Sequence, residues 1–254
     1  TWQIGNAHLL KNQTRIKVVA DFRSNDVSLG GQGAPLVPIY HFYLFANQKK
    51  PCAVLNIGGI SNITYFSNED ENNIEAFDVC FGNAPFDDLM KEKLNLDFDL
   101  DGNLSKKGIV NIDLANQILQ NEIFHAKPPK SYDRNDFSNL TSPIKNLKIE
   151  DALATLAYMH ARAIKINLDF FSQSPKELFV CGGGRNNLAI MDELKKQLEK
   201  TEVKSVEEIK LDGSAIEAEA FAFLGIRRLL NLPISFPKTT GIKVASIGGV
   251  MHQI

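Results

Sequence analysis

The stretch "CAVLNIGGISNITYF", residues 52–66, reads as two apolar, β-branched strands joined at Gly58-Gly59, the signature of a β-hairpin. Working outward, the polar "SNEDENNIEAF" at 67–77 predicts a second hairpin turn, leading into "FDVCFGNA" at 77–84. Further along the grammar changes. "KELFVCGGGRNN" at 176–187 is a strand that runs into glycines, followed by "LAIMDELKKQLEK", which puts Leu188, Met191, Leu194 and Leu198 on one helical face. "IEDALATLAYMHARAIKINLDFF" at 149–171 has the spacing of a long buried helix, and "SAIEAEAFAFLGIRRLLN" at 214–231 that of a last one. Hairpins first and strand–helix units later predict an α/β fold with a mixed sheet and flanking helices.

The remainder is consistent with that frame. "RIKVVADF" at 15–22 predicts a strand, and "GGQGAPLVP" at 30–38 a loop that bends sharply or approaches something closely. Residues 84–125 turn helical, interrupted by "DLDGNLSKKG", and "AKPPKSYDRNDFSNL" at 126–140 is a Pro-led loop. The tail "LPISFPKTTGIKVASIGG" is irregular.

Composition narrows the function classes. The 254 residues are 44% hydrophobic and 23% charged with a formal net charge of -2, ordinary for a globular chain. Near-neutral charge without a basic block argues against nucleic acid as a partner, which requires clustered Lys and Arg. Cys52, Cys80 and Cys181 form no C-x-x-C pair, which fits a reducing compartment and excludes a disulfide framework or a thiolate zinc site. The apolar stretches fall short of the ~20 residues of a membrane span, and no signal peptide is visible. The opening "TWQIGNAHLL" lacks Met, which reads as the remainder of a longer polypeptide.

Several residues stand out chemically. In "VCGGGRNN", Gly182, Gly183, Gly184, Arg185 and Asn187 lie between a strand and a helix, where backbone N–H groups and the helix dipole suit an anion or nucleotide; the same pattern also makes a plain strand-to-helix turn. Gly58, Gly59, Ser61 and Asn62 form a second glycine turn that either covers phosphates or is an ordinary type I′ turn. No Walker A loop occurs. Asp78, directly before Val79-Cys80 and the Gly82-Asn83 turn, reads as a general base or a turn carboxylate. Glu217, and less so Glu219, points into a cleft or into solvent. Arg23 and Asp26 bind a polar ligand or pair with each other, the pairing being the favoured reading from sequence. His160, on an apolar helix, reads as a packed residue rather than a metal ligand.

Taken in order, "TWQIGNAHLL", "VVADFRSNDVSLGGQGAPLVP", "LNIGGISNIT", "FDVCFGNA", "DGNLSKKG", "PPKSYDRNDF", "VCGGGRNN" and "IEAEAFAFLGIRRL" resemble the anhydro-N-acetylmuramic acid kinase family across essentially the whole chain. The resemblance implies a ribonuclease H-like, actin-like ATPase lobe, with residues 1–27 as a remnant of the N-terminal lobe and 28–254 as the C-terminal nucleotide- and sugar-binding lobe. It implies a cytoplasmic, homodimeric kinase of peptidoglycan recycling that uses ATP and Mg2+. Its substrate is 1,6-anhydro-N-acetylmuramic acid, hydrolytically opened and phosphorylated on O6 to N-acetylmuramate 6-phosphate, with no nucleic-acid or membrane partner. Asp78 matches the catalytic aspartate and Glu217 the glutamate of the closing helix. The glycine turns 58–62, 82–83 and 182–187 fall on the nucleotide, and Arg23 and Asp26 near the sugar.

Three departures qualify it. "CFGN" stands where the family has Gly-Pro-Gly-Asn, so Cys80 would put a side chain where phosphate needs close approach. Ser214 stands where many members carry Asp. The family's N-terminal phosphate loop has no counterpart here, so this chain alone is expected to be a poor kinase. The alternatives are a non-catalytic nucleotide- or sugar-binding relative and a chain complemented by a separate polypeptide.

Overall fold

The computed structural model describes residues 4–253. The first three residues of the "TWQIGNAHLL" motif lie outside that range.

A five-stranded mixed sheet forms the centre, built from β2 (Cys52–Ile57), β3 (Ile60–Phe66), β4 (Glu75–Phe81), β5 (Glu177–Cys181) and β6 (Glu202–Ser205) in the order β4-β3-β2-β5-β6. β3 runs antiparallel to both β2 and β4, whereas β5 and β6 run parallel to β2. This order and direction is the ribonuclease H-like arrangement. A separate two-stranded sheet pairs β1 (Val18–Ala20) with β7 (Val250–His252), which brings the two ends of the chain together. β1 is shorter than its apolar run suggests because Arg15 and Asp21 on either side adopt positive φ, a conformation that breaks extended pairing.

The helices are α1 (Ala7–Thr14), α2 (Ser24–Ser28), α3 (Pro38–Leu44), α4 (Ala84–Leu94), α5 (Ile112–Leu119), α6 (Ser138–Thr141), α7 (Ile149–Leu168), α8 (Leu188–Gln197) and α9 (Ile216–Leu229). α3, α4, α5, α7, α8 and α9 cover the two faces of the large sheet, whereas α1 packs beside β1 and β7. On β2, Ala53, Leu55 and Ile57 point into one core and Cys52 and Val54 into the other, as the two-residue period of a strand demands. On β5, Leu178 and Val180 join the first core, and Phe179 and Cys181 the second. The first core is closed by α4, α5, α7 and α8, with α7 burying thirteen side chains from Ala152 to Leu168. The second is closed by α3 and α9, where Phe45 packs on Phe179 at 5.0 Å between ring centroids. A strand buried on both faces reads as a near-continuous apolar run, which is why β2 and β5 stood out in the sequence.

On α8 the buried residues are Ala189, Ile190, Met191 and Leu194, while Leu188 is exposed and Leu198 caps the helix. The expected stripe starts one residue early because Asn187 accepts from the N–H groups of Ala189 and Ile190 and so sets the first turn. No described helix is long and apolar enough to cross a membrane.

Candidate active site

Three glycine turns converge at the carboxyl ends of β2, β4 and β5, the edge where α/β sheets bind ligands. The Gly82 and Asn83 N–H groups donate to the carbonyls of Gly59 and Gly58 at 2.9 and 2.7 Å. Asn83 Nδ2 donates to the Ile57 carbonyl at 3.2 Å. A side chain at Gly82 would collide with the Gly58 carbonyl, and one at Gly184 with Ile57. Gly182 takes φ 76°, ψ 172°, a region open essentially to glycine alone.

Beside these turns lies a cleft of about 420 Å³ whose lining includes Arg23, Asn62, Asp78, Gly182, Gly183, Arg185, Ser214 and Glu217. Residues from distant parts of the chain meet here. Asp78 comes from β4, where the register with β3 slips: Ser61 faces Cys80 and Asn62 faces Asp78, leaving Val79 as the extra residue of a bulge. Such a bulge re-aims side chains next to functional sites. It leaves the Asp78 carboxyl on the cleft while Phe77, Val79, Cys80 and Phe81 all enter the core.

The Asp78 carboxyl is held at one oxygen. Oδ2 accepts from the Tyr132 N–H at 2.9 Å and from the Ser131 hydroxyl at 3.2 Å, and no donor among the described residues reaches Oδ1. Burial pushes the Asp78 carboxyl up from the ordinary range, against the opposing pull of those two donors and of the Lys130 and Arg23 charges. A buried carboxylate with one open oxygen and a raised proton affinity is suited to take a proton.

Glu217, at the start of α9, is exposed on the cleft with no hydrogen-bond partner among the described residues. Glu219 is engaged by the Tyr40 hydroxyl at 2.7 Å. Arg185 is tied down by Glu207 at 2.6 Å, the Gly182 carbonyl at 2.8 Å and Ser214 Oγ at 3.1 Å, so Ser214 takes part in fixing the glycine turn. Asn187 caps α8. Ser61 is fully buried and shares a 2.8 Å hydrogen bond with His160 Nε2. His160 is a packed residue as expected, its imidazole held neutral by burial at about 4.

Arg23 and Asp26 do not pair. They grip Gly33 from opposite ends: Arg23 Nη1 donates to its carbonyl at 2.6 Å, and its N–H donates to Asp26 Oδ2 at 2.7 Å. Asp26 also accepts from Thr240 Oγ1 at 2.5 Å and is buried, whereas Arg23 lines the cleft. The loop 30–38 curls between them, which separates two side chains that sequence proximity alone would pair. Asp26→Ala leaves the Gly33 N–H and Thr240 without an acceptor and is expected to cost about 1–3 kcal/mol, read as a lowered urea midpoint at constant slope; a change below 0.5 kcal/mol, on the order of an ordinary surface substitution, would contradict this role.

Cys80 is a second correction. Its side chain is buried in the first core, with Sγ 3.2 Å from the Phe81 carbonyl, and does not line the cleft. The departure from Gly-Pro-Gly-Asn therefore adds no side chain to the cleft wall.

Asn56, His41 and Phe221, none of them a candidate from sequence, also line the cleft. Asn56 had a legible signal, a lone amide inside the apolar run of β2. His41 had none: its Nδ1 meets Thr64 Oγ1 at 3.0 Å, and burial holds it down at about 3. Among the described residues no group of three His, Cys, Asp or Glu could hold a metal ion.

The family model for anhydro-N-acetylmuramic acid kinase matches residues 1–253. A protein named anhydro-N-acetylmuramic acid kinase from Zymomonas mobilis is 46% identical over all of this chain and 68% of its own length. Namesakes from Paramagnetospirillum magneticum and Rhodopseudomonas palustris are each 41% identical, over 99% and 100% of this chain and 70% and 68% of theirs. Among solved structures, the activator of the 2-hydroxyisocaproyl-CoA dehydratase from Clostridium difficile with bound ADPNP aligns at a TM-score of 0.45 and 18% identity, over 77% of this chain and 68% of that one. With a family model spanning the chain and relatives at this identity, the chain belongs to the anhydro-N-acetylmuramic acid kinase family.

Proposed function

We propose that this chain carries the catalytic and nucleotide-binding cleft of an ATP-dependent kinase that opens 1,6-anhydro-N-acetylmuramic acid by hydrolysis and phosphorylates O6. The observation that carries the reading is Asp78, a buried carboxylate with one oxygen held and the other open to a cleft shared with the glycine turn at 182–183. In the reaction, Asp78 takes a proton from water as the water oxygen bonds to the anomeric carbon. The bond from that carbon to O6 breaks, and O6 accepts the γ-phosphoryl group of ATP. The products are N-acetylmuramate 6-phosphate and ADP, with the water proton left on Asp78.

The glycine turns fit a nucleotide because their main chain can come close to phosphate. A side chain at Gly59 would meet nothing within 4 Å, and Gly183 is exposed at the rim. Gly58, Gly59, Asn62, Gly182, Gly183 and Arg185 would hold ATP, with Ser61, Gly82, Asn83, Gly184 and Asn187 bracing the turns from behind. Mg2+ would arrive on the nucleotide, since it prefers phosphate oxygens and water to an all-protein cage, and neutralises charge on the phosphates. Glu217, which lines the same cleft without a hydrogen-bond partner among the described residues, would orient the sugar or its attacking water. Arg23 would face the sugar, with Asp26 acting through the Gly33 loop. Residues 1–27 would belong to the neighbouring lobe. Peptidoglycan recycling, a cytoplasmic place and a homodimer complete the reading on the family's pattern.

The test is a mass-spectrometric product assay with Mg-ATP and 1,6-anhydro-N-acetylmuramic acid, run on the 254-residue chain and on the complete gene product. N-acetylmuramate 6-phosphate and ADP in equal amounts is the expected result for the gene product. ADP without the sugar phosphate would overturn the reading in favour of a nucleotide hydrolase.

A further inference from the structure

Behind Asp78 sits a lysine that the reaction does not use. Lys130 is 6% exposed. Its Nζ donates to Asn167 Oδ1 at 2.6 Å and lies 5.4–5.5 Å from the ring centroids of Phe77, Tyr132 and Phe170. It has no carboxylate partner within ion-pair distance among the described residues. A buried ammonium is costly unless compensated, and here one amide oxygen and three ring faces do that work. Such an arrangement needs a reason beyond filling space, which Met or Leu would do at lower cost.

The reason is visible in what residues 130–132 touch. The Lys130 carbonyl accepts the Asp78 N–H at 3.1 Å, and the next two residues supply both donors to Asp78 Oδ2. The strap is fixed at one further point, where the Tyr132 hydroxyl donates to the Ile123 carbonyl at 2.7 Å, and Asn167, which Lys130 grips, is itself held by donating Nδ2 to the Phe124 and Ala163 carbonyls at 3.1 and 2.9 Å. The Lys130 side chain thereby ties the strap to α7 through Asn167. We propose that Lys130 is a positioning residue for the reaction, its caged ammonium fixing the 130–132 strap on Asp78 and keeping that carboxylate ionised. The proposal rests on the reading of Asp78 as the base.

The charged and titratable groups around Asp78 act in the same sense. Lys130 and Arg23 are the cations that pull its proton affinity down. Lys130, pushed down to about 8 by burial, still carries its charge at neutral pH. Burial pushes Tyr132 up to about 12 and Cys80 up as well, so both stay neutral. Glu217 lines the same cleft.

Two variants of the complete gene product separate anchor from charge. Lys130→Gln keeps an N–H to offer Asn167 and loses the charge; Lys130→Met loses both. The pH profile of kcat and a 13C titration of the Asp78 carboxyl, assigned by difference from Asp78→Asn, are read together. In both variants the acid limb and the carboxyl midpoint are expected to move to higher pH. On that limb kcat should fall about 3–10-fold relative to wild type, as for loss of one nearby opposite charge, with KM for ATP unchanged. A limb and midpoint that stay at the wild-type pH in Lys130→Gln overturn the assignment, as does failure of both variants to fold, since Lys130 would then be structural. If Asp78→Asn itself keeps full turnover, the base reading falls, and the role of Lys130 falls with it. If Asp78 is required but insensitive to Lys130, only the Lys130 assignment is lost.

Discussion

Asp78→Asn in the complete gene product is expected to lower kcat for sugar phosphorylation by about 10²–10⁴-fold, the usual worth of a positioned general base, while KM for ATP stays near wild type. The amide is isosteric, and its oxygen can still accept from Tyr132 and Ser131, so the local geometry survives and only proton transfer is lost. The stability effect has the opposite sign. Burial raises the carboxyl's proton affinity in the folded state above its unfolded value, so the native protein binds more protons than the unfolded chain in that window and loses stability as pH rises through it. The neutral amide removes that penalty. At pH 7 the variant should therefore unfold at the wild-type urea concentration or above it, while nearly inactive. The same shift places the acid limb of the wild-type kcat profile above the range of an ordinary aspartate, with activity lost as pH falls through it. A variant that keeps more than a tenth of wild-type kcat would exclude Asp78 as the base.

Gly182→Ala should be strongly damaging, because strain and collision coincide at this position. At φ 76° and ψ 172° an alanine pays about 1–3 kcal/mol in backbone strain. Its Cβ would also lie 2.6 Å from the Ile57 carbonyl oxygen and against Asn56 Oδ1. The first of these is backbone at the end of a strand paired on both sides, so it cannot yield cheaply. The expected total is about 3 kcal/mol or more, near the upper end for single substitutions. Because the turn also carries Gly183 onto the cleft, affinity for ATP should fall at least tenfold in whatever fraction folds. Gly183→Ala is the internal control: its Cβ would meet only Asn83 Nδ2, at 3.3 Å, the movable end of a side chain. It should cost less than about 1 kcal/mol, a surface-like effect. Urea denaturation and binding of a fluorescent ATP analogue on the pair settle the point, and equal stability of the two would refute the turn's dependence on Gly182.

Much of this molecule could be read without its structure, and the legible part has a common physical basis. The hairpin at 52–66, the strand before Gly182 and the helix at 149–171 follow from periodicity and turn chemistry. These act over a few residues and leave their mark in the local pattern. The same holds for the glycine turns, since a backbone conformation closed to other residues can be met only by glycine. The ordered motifs placed Asp78 and Glu217 in one site, and both line the same cleft.

What only the tertiary structure decided depends on contacts between distant segments. β6 is a four-residue polar strand that exists because β5 offers it an edge. β1 pairs with β7 from the far end of the chain. Arg23 and Asp26, three residues apart, are parted by a loop whose Gly33 both of them bind. Cys80 turns into the core rather than toward phosphate because a one-residue bulge against β3 resets the alternation of β4. Lys130 reads in sequence as a loop lysine, and only packing of β4, the 130–132 strap and α7 encloses it behind Asp78. Local pattern can specify an element and its turns. Which face a side chain takes after a bulge, and which charge is enclosed beside which, is set by the free energy of non-local packing, which no short window of sequence contains.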